Sequence, residues 1–307
     1  MSFTIGVKQE LNRVARKRSC CRTAELAALF RAAGGFHIKS RERFGLHASF
    51  GLSATARTVV SLVKSFDLPI EVRVKEERRL GSHKRYEIHL EGGARLVQFL
   101  NEIGVLSDSM SLQEIIPNRI IKRQCCQASF LRGAFIASGS VSEPGAPAHL
   151  EIYSDSMAFL ETVRLAAAAL DIKLSLSERC RHPAVYAKSL GTIRDFLVTA
   201  GAHQSALQLE ERSVVSAVRA DANRRANCDQ ANAGRCSRAA AKQVQAILQL
   251  QRSGEWDRLS PGLVEVAELR LAHPSTTIAA LGQLVDPPLS KSAVNHRLRR
   301  LVALSLE

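Results

Sequence analysis

No stretch of this chain approaches the ~18 consecutive apolar residues of a membrane span, and the opening MSFTIGVKQELNRVARKRS holds no long apolar core of the kind that drives export. A soluble, cytoplasmic protein is expected. No C-x-x-C pair occurs, and the seven cysteines are an odd number thinly spread, unlike the dense set of a disulfide-stapled secreted domain, so reduced thiols are the default. No phosphate-binding glycine loop and no catalytic triad is visible. His89, His149, His182 and His203 stand apart from Cys, Asp or Glu at metal-ligand spacing.

What the chain does have is length and positive charge. At 307 residues with 46% hydrophobic content it is long enough for two or three domains with their own cores. Lys and Arg number 43 against 29 Asp and Glu, a net +14, which favours a polyanionic partner, nucleic acid ahead of an acidic membrane surface.

An internal repeat organises the first 200 or so residues. RSCCRTAELAALFRAAGGF (Arg18 to Phe36) is answered by RQCCQASFLRGAFIASGSV (Arg123 to Val141), with seven of nineteen positions identical at an offset of 105. The correspondence continues from Phe66–Ile70 to Leu170–Leu174 and from Gln98–Leu100 to Asp195–Leu197. Each copy opens with an Ala/Leu-rich helix ending at glycine, Gly34-Gly35 or Gly139. In the first copy, strands are expected near 36–40 and 45–52, a helix near 54–66, strands near 70–76 and 84–90, and a helix near 94–103. In the second, strands are expected near 150–153, 173–177 and 185–188. Each unit reads αββαββα.

With the strings LAALFRAAGG and LRGAFIASGS, this arrangement resembles the two repeats of a LAGLIDADG homing endonuclease. The resemblance implies motif helices packed along a pseudo-twofold axis and two curved sheets forming a saddle over DNA. Hydrolysis in that family needs an acid at the end of each motif helix, because divalent metals require hard oxygen ligands. Aligning the motif puts those positions at Ala33 and Ser138, which supply no anionic ligand; Glu42 and Glu143, the nearest carboxylates, fall in expected turns. No catalytic residue is assigned. The small residues Ala27, Ala28, Ala32 and Ala33, with Gly133, Ala134, Ala137 and Ser138, retain the use of letting two helices approach closely.

From Leu207 to Lys242 the chain turns polar and basic, as a long exposed helix or hinged linker would. After Ser253-Gly254, Ser260 caps and Pro261 starts one helix. Pro274 ends it, and Ser275 is placed to cap a second helix with Ile278, Leu281, Leu284 and Val285 on one face. The turn Asp286-Pro287-Pro288-Leu289 then leads to a third helix from Ser290, with Val294, Leu298 and Leu301 inward. This is a helix-turn-helix layout. Its solvent face offers Ser292, Asn295, His296 and Arg299 to base edges, with Lys291, Arg297 and Arg300 suited to phosphates. The segment KSAVNHRLRRL holds no acid. Arg224 and Arg225, with Asn223, Asn227 and Asn232, suit either flanking phosphates or a polar helical linker.

The whole chain resembles the WhiA family of bacterial regulators, most specifically in the Cys-Cys helix starts, ANRRANCDQAN (Ala222 to Asn232), ELRLAHP and the Asp286 to Arg300 block. The fold this implies is α+β: a degenerate endonuclease-like domain over 1–204 (repeats about 18–105 and 123–203), a basic helical linker over 205–253 and an all-α helix-turn-helix domain over 254–307. The implied function is sequence-specific transcription regulation of cell division, chromosome segregation and, in actinomycetes, sporulation, at the nucleoid and without catalysis. Double-stranded promoter DNA is the implied partner, with a WhiB-like iron–sulfur regulator and RNA polymerase in actinomycetes; any cluster belongs to the partner, and no metal or cofactor is assigned to this chain. The rival readings are a metal-dependent endonuclease and a non-specific DNA or protein scaffold.

Cys20-Cys21 and Cys125-Cys126 occupy equivalent positions, but adjacent helical cysteines diverge by about 100°, which favours simple burial over shared chelation. Arg13, Arg16, Lys17, Arg18 and Arg22, with Arg73, Lys75, Arg78, Arg79, Lys84 and Arg85, suit a residual DNA saddle, a solvated surface or a protein-docking face equally.

Overall fold

A computed structural model describes residues 2–40, 43–77, 83–177 and 182–306. Glu42, Arg78 and Arg79, weighed above, and Cys180, one of the seven cysteines, lie outside the described residues. The chain divides into two compact units, Met1–Ser216 and Ala217–Glu307.

The first unit opens on a helix the repeat does not contain, α1 (Phe3–Arg13), whose Phe3, Val7 and Leu11 recur every four residues and are buried. Then come α2 (Ser19–Ala33), β1 (Gly34–Ser40), β2 (Arg43–Phe50), α3 (Ser53–Lys64), β3 (Glu71–Glu77), β4 (His83–Gly92) and α4 (Ala94–Glu102). A short α5 (Asn118–Ile121) precedes the second copy: α6 (Gln124–Ser138), β5 (Gly139–Val141), β6 (Leu150–Tyr153), α7 (Met157–Ala168), β7 (Ser175–Ser177), β8 (Ala184–Ala187) and α8 (Leu190–Ala200). Both copies follow the expected αββαββα order. Both build an antiparallel four-stranded sheet, β1-β2-β4-β3 and β5-β6-β8-β7.

The duplication reaches the backbone. Asp67 and Asp171, matched by the repeat, sit just past α3 and α7 with φ of 53° and 60°. Asp is among the few side chains that tolerate this left-handed region, because its short polar group bonds locally. Helices α2 and α6 pack against each other along their length, and Ala24 to Phe30 are buried without interruption, as befits a helix enclosed by a partner helix on one side and its own sheet on the other. At Gly133 a Cβ would lie 2.5 Å from the Glu25 carbonyl oxygen and 3.0 Å from the Ala28 Cβ. That close approach is the use the small residues were expected to have.

Among the described residues an ion pair is buried within this seam. Glu25, fully buried, accepts from Arg16 at 2.7 Å and from Arg132 of α6 at 2.8 Å, while Arg132 also donates to the Ala200 carbonyl at 3.2 Å. Arg16 therefore does not belong to a basic surface: its guanidinium is turned inward and donates further to the carbonyls of Asn12 and Val14.

Helix α9 (His203–Ser253) covers the whole segment expected as a helical linker, yet both its ends are core. Ala206 and Leu209 are buried in the first unit; Ile247 and Leu250 are buried in the second, against Leu263, Val266, Leu281, Val294, Leu298 and Leu301. The helical domain thus begins inside α9 rather than at residue 254. A 3₁₀ turn (Glu255–Arg258) leads to α10 (Pro261–Ala272), α11 (Ile278–Gln283) and α12 (Lys291–Leu304). Among the described residues no helix is long and apolar enough to cross a membrane.

Candidate nucleic-acid interface

The three-helix arrangement follows from caps and a buried stripe. Ser290 Oγ accepts from the Ala293 amide at 3.2 Å and starts α12 where expected. Helix α11 is capped by Thr277, which accepts from Ala280 at 3.3 Å, and not by Ser275; Ser275 and Thr276 complete the turn instead. Ser260 holds the cap position of α10 but makes no side-chain bond, its carbonyl accepting from Leu263 and Val264. The turn before α12 is tied to α11 by Leu289 donating to the Gly282 carbonyl at 2.8 Å, and a Cβ at Gly282 would lie only 2.3 Å from the Leu289 carbonyl oxygen.

On α12, Val294, Leu298 and Leu301 are wholly buried. Lys291, Ser292, His296, Arg299 and Arg300 are exposed, and Asn295 is half-buried at the edge of that face. Arg297 departs from its expected role. It is half-buried, its Nη1 donates to the Gly262 carbonyl at 3.2 Å, and it lies 3.9 Å from Glu265. This guanidinium braces α12 against the start of α10. Arg224 and Arg225 are exposed on α9, both paired with Asp221, at 3.3 and 2.9 Å.

Arg270, in the ELRLAHP stretch, was missed. It is 2% exposed and donates to the carbonyls of Thr276 at 2.7 Å and Pro274 at 3.4 Å, holding the α10–α11 turn; burial lowers its pKa. Arg270 stands seven, four and three residues after the buried Leu263, Val266 and Ala267, so helical spacing is the signal that could have found it.

In the first unit, Ala33 and Ser138 are the last residues of α2 and α6, where the motif alignment puts them. Ala33 is half-buried; Ser138 is 3% exposed, its hydroxyl 3.5 Å from the Ala134 carbonyl. Glu143 is engaged elsewhere, accepting from the Phe3 amide at 2.7 Å. Three of the basic residues considered for a saddle are engaged within the first sheet. Arg73 pairs with Glu71 at 2.7 Å, Lys75 with Glu87 at 2.8 Å, and Arg85 donates to Ser49 at 3.0 Å. His37, His47 and His89 line up across three strands, with ring centroids 5.5 and 6.2 Å apart, and burial lowers the pKa of His47, helped by the flanking imidazoles. His89 and His149 each lie 3.3 Å from a carboxylate, Glu87 and Glu151, two residues away. Residues two apart on a strand share a face, so the isolation expected for these histidines does not hold.

The cysteine pairs also depart from expectation. Sγ atoms of Cys20, Cys21, Cys125 and Cys126 all lie within 4.8 Å of one another, and among the described residues they are the one grouping with metal-ligand geometry. Two adjacent residues on each helix diverge, but the pseudo-twofold axis passes between them, so the four side chains surround it and point inward.

Family models match the chain in three consecutive parts: a WhiA N-terminal LAGLIDADG-like domain over 19–106, a WhiA LAGLIDADG-like domain over 127–219 and a WhiA C-terminal HTH domain over 222–305. A relative from Heliobacterium modesticaldum, named probable cell division protein WhiA, is 35% identical over 99% of this chain and 96% of its own length. One of the same name from Carboxydothermus hydrogenoformans is 36% identical over 98% and 96%. Among solved structures, full-length WhiA from Thermotoga maritima shares the fold at a TM-score of 0.59 and 24% identity, covering 99% of this chain and 97% of that one. By the three consecutive domain matches and these end-to-end relatives, the chain belongs to the WhiA family.

Proposed function

We propose that this protein is a sequence-specific DNA-binding regulator of cell-division genes that reads promoter DNA through α12 and catalyses no reaction. The observation that carries the reading is the outer face of α12: Ser292, His296 and Arg299 exposed together, Asn295 beside them, and no carboxylate along the helix to repel phosphates. Lys291 and Arg300 flank that face as phosphate contacts, and Arg224 and Arg225, exposed on α9, are further candidates for phosphates. Chromosome segregation, sporulation in an actinomycete host, nucleoid association and cooperation with a WhiB-like iron–sulfur protein and RNA polymerase belong to the same proposal.

The endonuclease reading lacks acids at Ala33 and Ser138. Plasmid incubated with the protein and Mg²⁺ or Mn²⁺ is expected to stay intact; nicking abolished by substitutions in α2 and α6 would restore that reading. The pairing of Arg73 and Lys75 with Glu71 and Glu87 on the first sheet favours a protein-docking role for the first unit over a second DNA-binding surface. Genome-wide mapping of bound sites, followed by binding to one of them and to random duplex at physiological salt, tests the main proposal. A preference of about 10³-fold or more is expected, and equal affinity would leave only a non-specific scaffold.

A further inference from the structure

We propose that Cys20, Cys21, Cys125 and Cys126 form a mononuclear tetrathiolate site for zinc that clasps the beginnings of α2 and α6. Tetrahedral coordination with Zn–S of about 2.3 Å puts sulfurs about 3.8 Å apart. Here all four lie within 4.8 Å of one another and Cys125 and Cys126 within 4.0 Å, so rotamer adjustments of under about 1 Å close the shell. An iron–sulfur cluster would interpose irons and sulfides and spread the thiolates further than this.

The surroundings suit the charge. Zinc with four thiolates carries two net negative charges, and the cysteines occupy the first turns of two helices, whose amide ends favour anions. Arg18 directs Nη1 at the Cys125 sulfur from 3.7 Å. The segments 11–24 and 115–142 contain no carboxylate, while Lys17, Lys122 and Arg123 lie exposed close by in sequence. Cys20 and Cys125 are half-exposed, giving the ion a path in, and Cys21 and Cys126 are buried behind them. Each thiol releases its proton to solvent as its sulfur binds the metal, so no oxidant is involved.

The test uses the full chain purified under reductant. Elemental analysis is expected to find one zinc per chain. After chelation, Co²⁺ titration is expected to develop the visible and sulfur charge-transfer absorption of a tetrahedral thiolate site, saturating at one equivalent and erased by Zn²⁺. Cys20→Ser with Cys125→Ser should lose that absorption while keeping the far-ultraviolet dichroism of the folded protein; should this pair fail to fold, either single substitution is expected to shift the spectrum. Cys228→Ser with Cys236→Ser, on the exposed face of α9, should leave it unchanged. Folded, reduced wild-type protein that takes up neither metal overturns the proposal. So does a spectrum that survives loss of Cys20 and Cys125 or vanishes with Cys228 and Cys236, or a pair of disulfides whose reduction yields no zinc uptake.

Discussion

At the scale of single residues, the arginines of α12 stand in two settings, Arg299 and Arg300 exposed and Arg297 half-buried against α10. Arg299 stands free on the outer face, so Arg299→Ala is expected to cost about 1–3 kcal/mol on the preferred site and relax the choice of base there, read by binding to a panel of single-base variants. Arg300→Ala is expected to weaken all duplexes alike and reduce the slope of log affinity against log salt by about one. Arg297→Ala should act on stability, because the lost guanidinium unbraces α10 from α12. Arg270→Met is expected to cost about 1–3 kcal/mol in denaturant titration by stranding the Thr276 carbonyl. The buried stripe of α12 was legible because its spacing follows the helical period. The inward turn of Arg297 was not, since a long cationic side chain one position from that stripe can reach water or fold back onto a carbonyl, and the sequence does not distinguish the two.

At the scale of elements, the seam between α2 and α6 governs the first unit. Gly133→Ala is expected to destabilise it by about 1–3 kcal/mol, because the added methyl meets the Glu25 carbonyl. Gly234→Ala, on the exposed middle of α9 where the nearest atom is a flexible Arg238 tip at 3.8 Å, is expected to stabilise by about 0.5–1 kcal/mol. Equal effects from the two substitutions, measured by urea unfolding, would refute this contrast between tight seam and open helix. Glu25→Gln should cost about 3–5 kcal/mol, since it leaves Arg16 and Arg132 buried without their counter-charge. The order αββαββα was readable because one copy calibrates the other. Helix α1 stands outside the repeat, and although Phe3, Val7 and Leu11 keep helical spacing, no second copy drew attention to them.

At the scale of the whole molecule, two cores predict two thermal transitions. Leu131→Ala is expected to lower only one and Leu298→Ala only the other, each by the equivalent of about 2–5 kcal/mol, followed by calorimetry. The boundary between the units was the least legible feature. Helix α9 is polar through its middle and enters a core at each end, so its composition resembles a connector while Leu209 and Ile247 do not. The helix-turn-helix was readable from local spacing and the repeat from self-similarity at an offset of 105, while the two missing acids followed from the resemblance to the LAGLIDADG motif. Convergence of the four thiols was not, because it depends on where the pseudo-twofold axis passes. The seating of Ser138 bears on what an acid could do there. An aspartate introduced there would enter a site 3% exposed, next to the Ala134 carbonyl, where a carboxyl is driven to stay protonated. An acid at position 33 alone would offer one carboxylate, so Ala33→Asp with Ser138→Asp is not expected to create a metal-binding pair at the ends of α2 and α6, as read by Mn²⁺ titration.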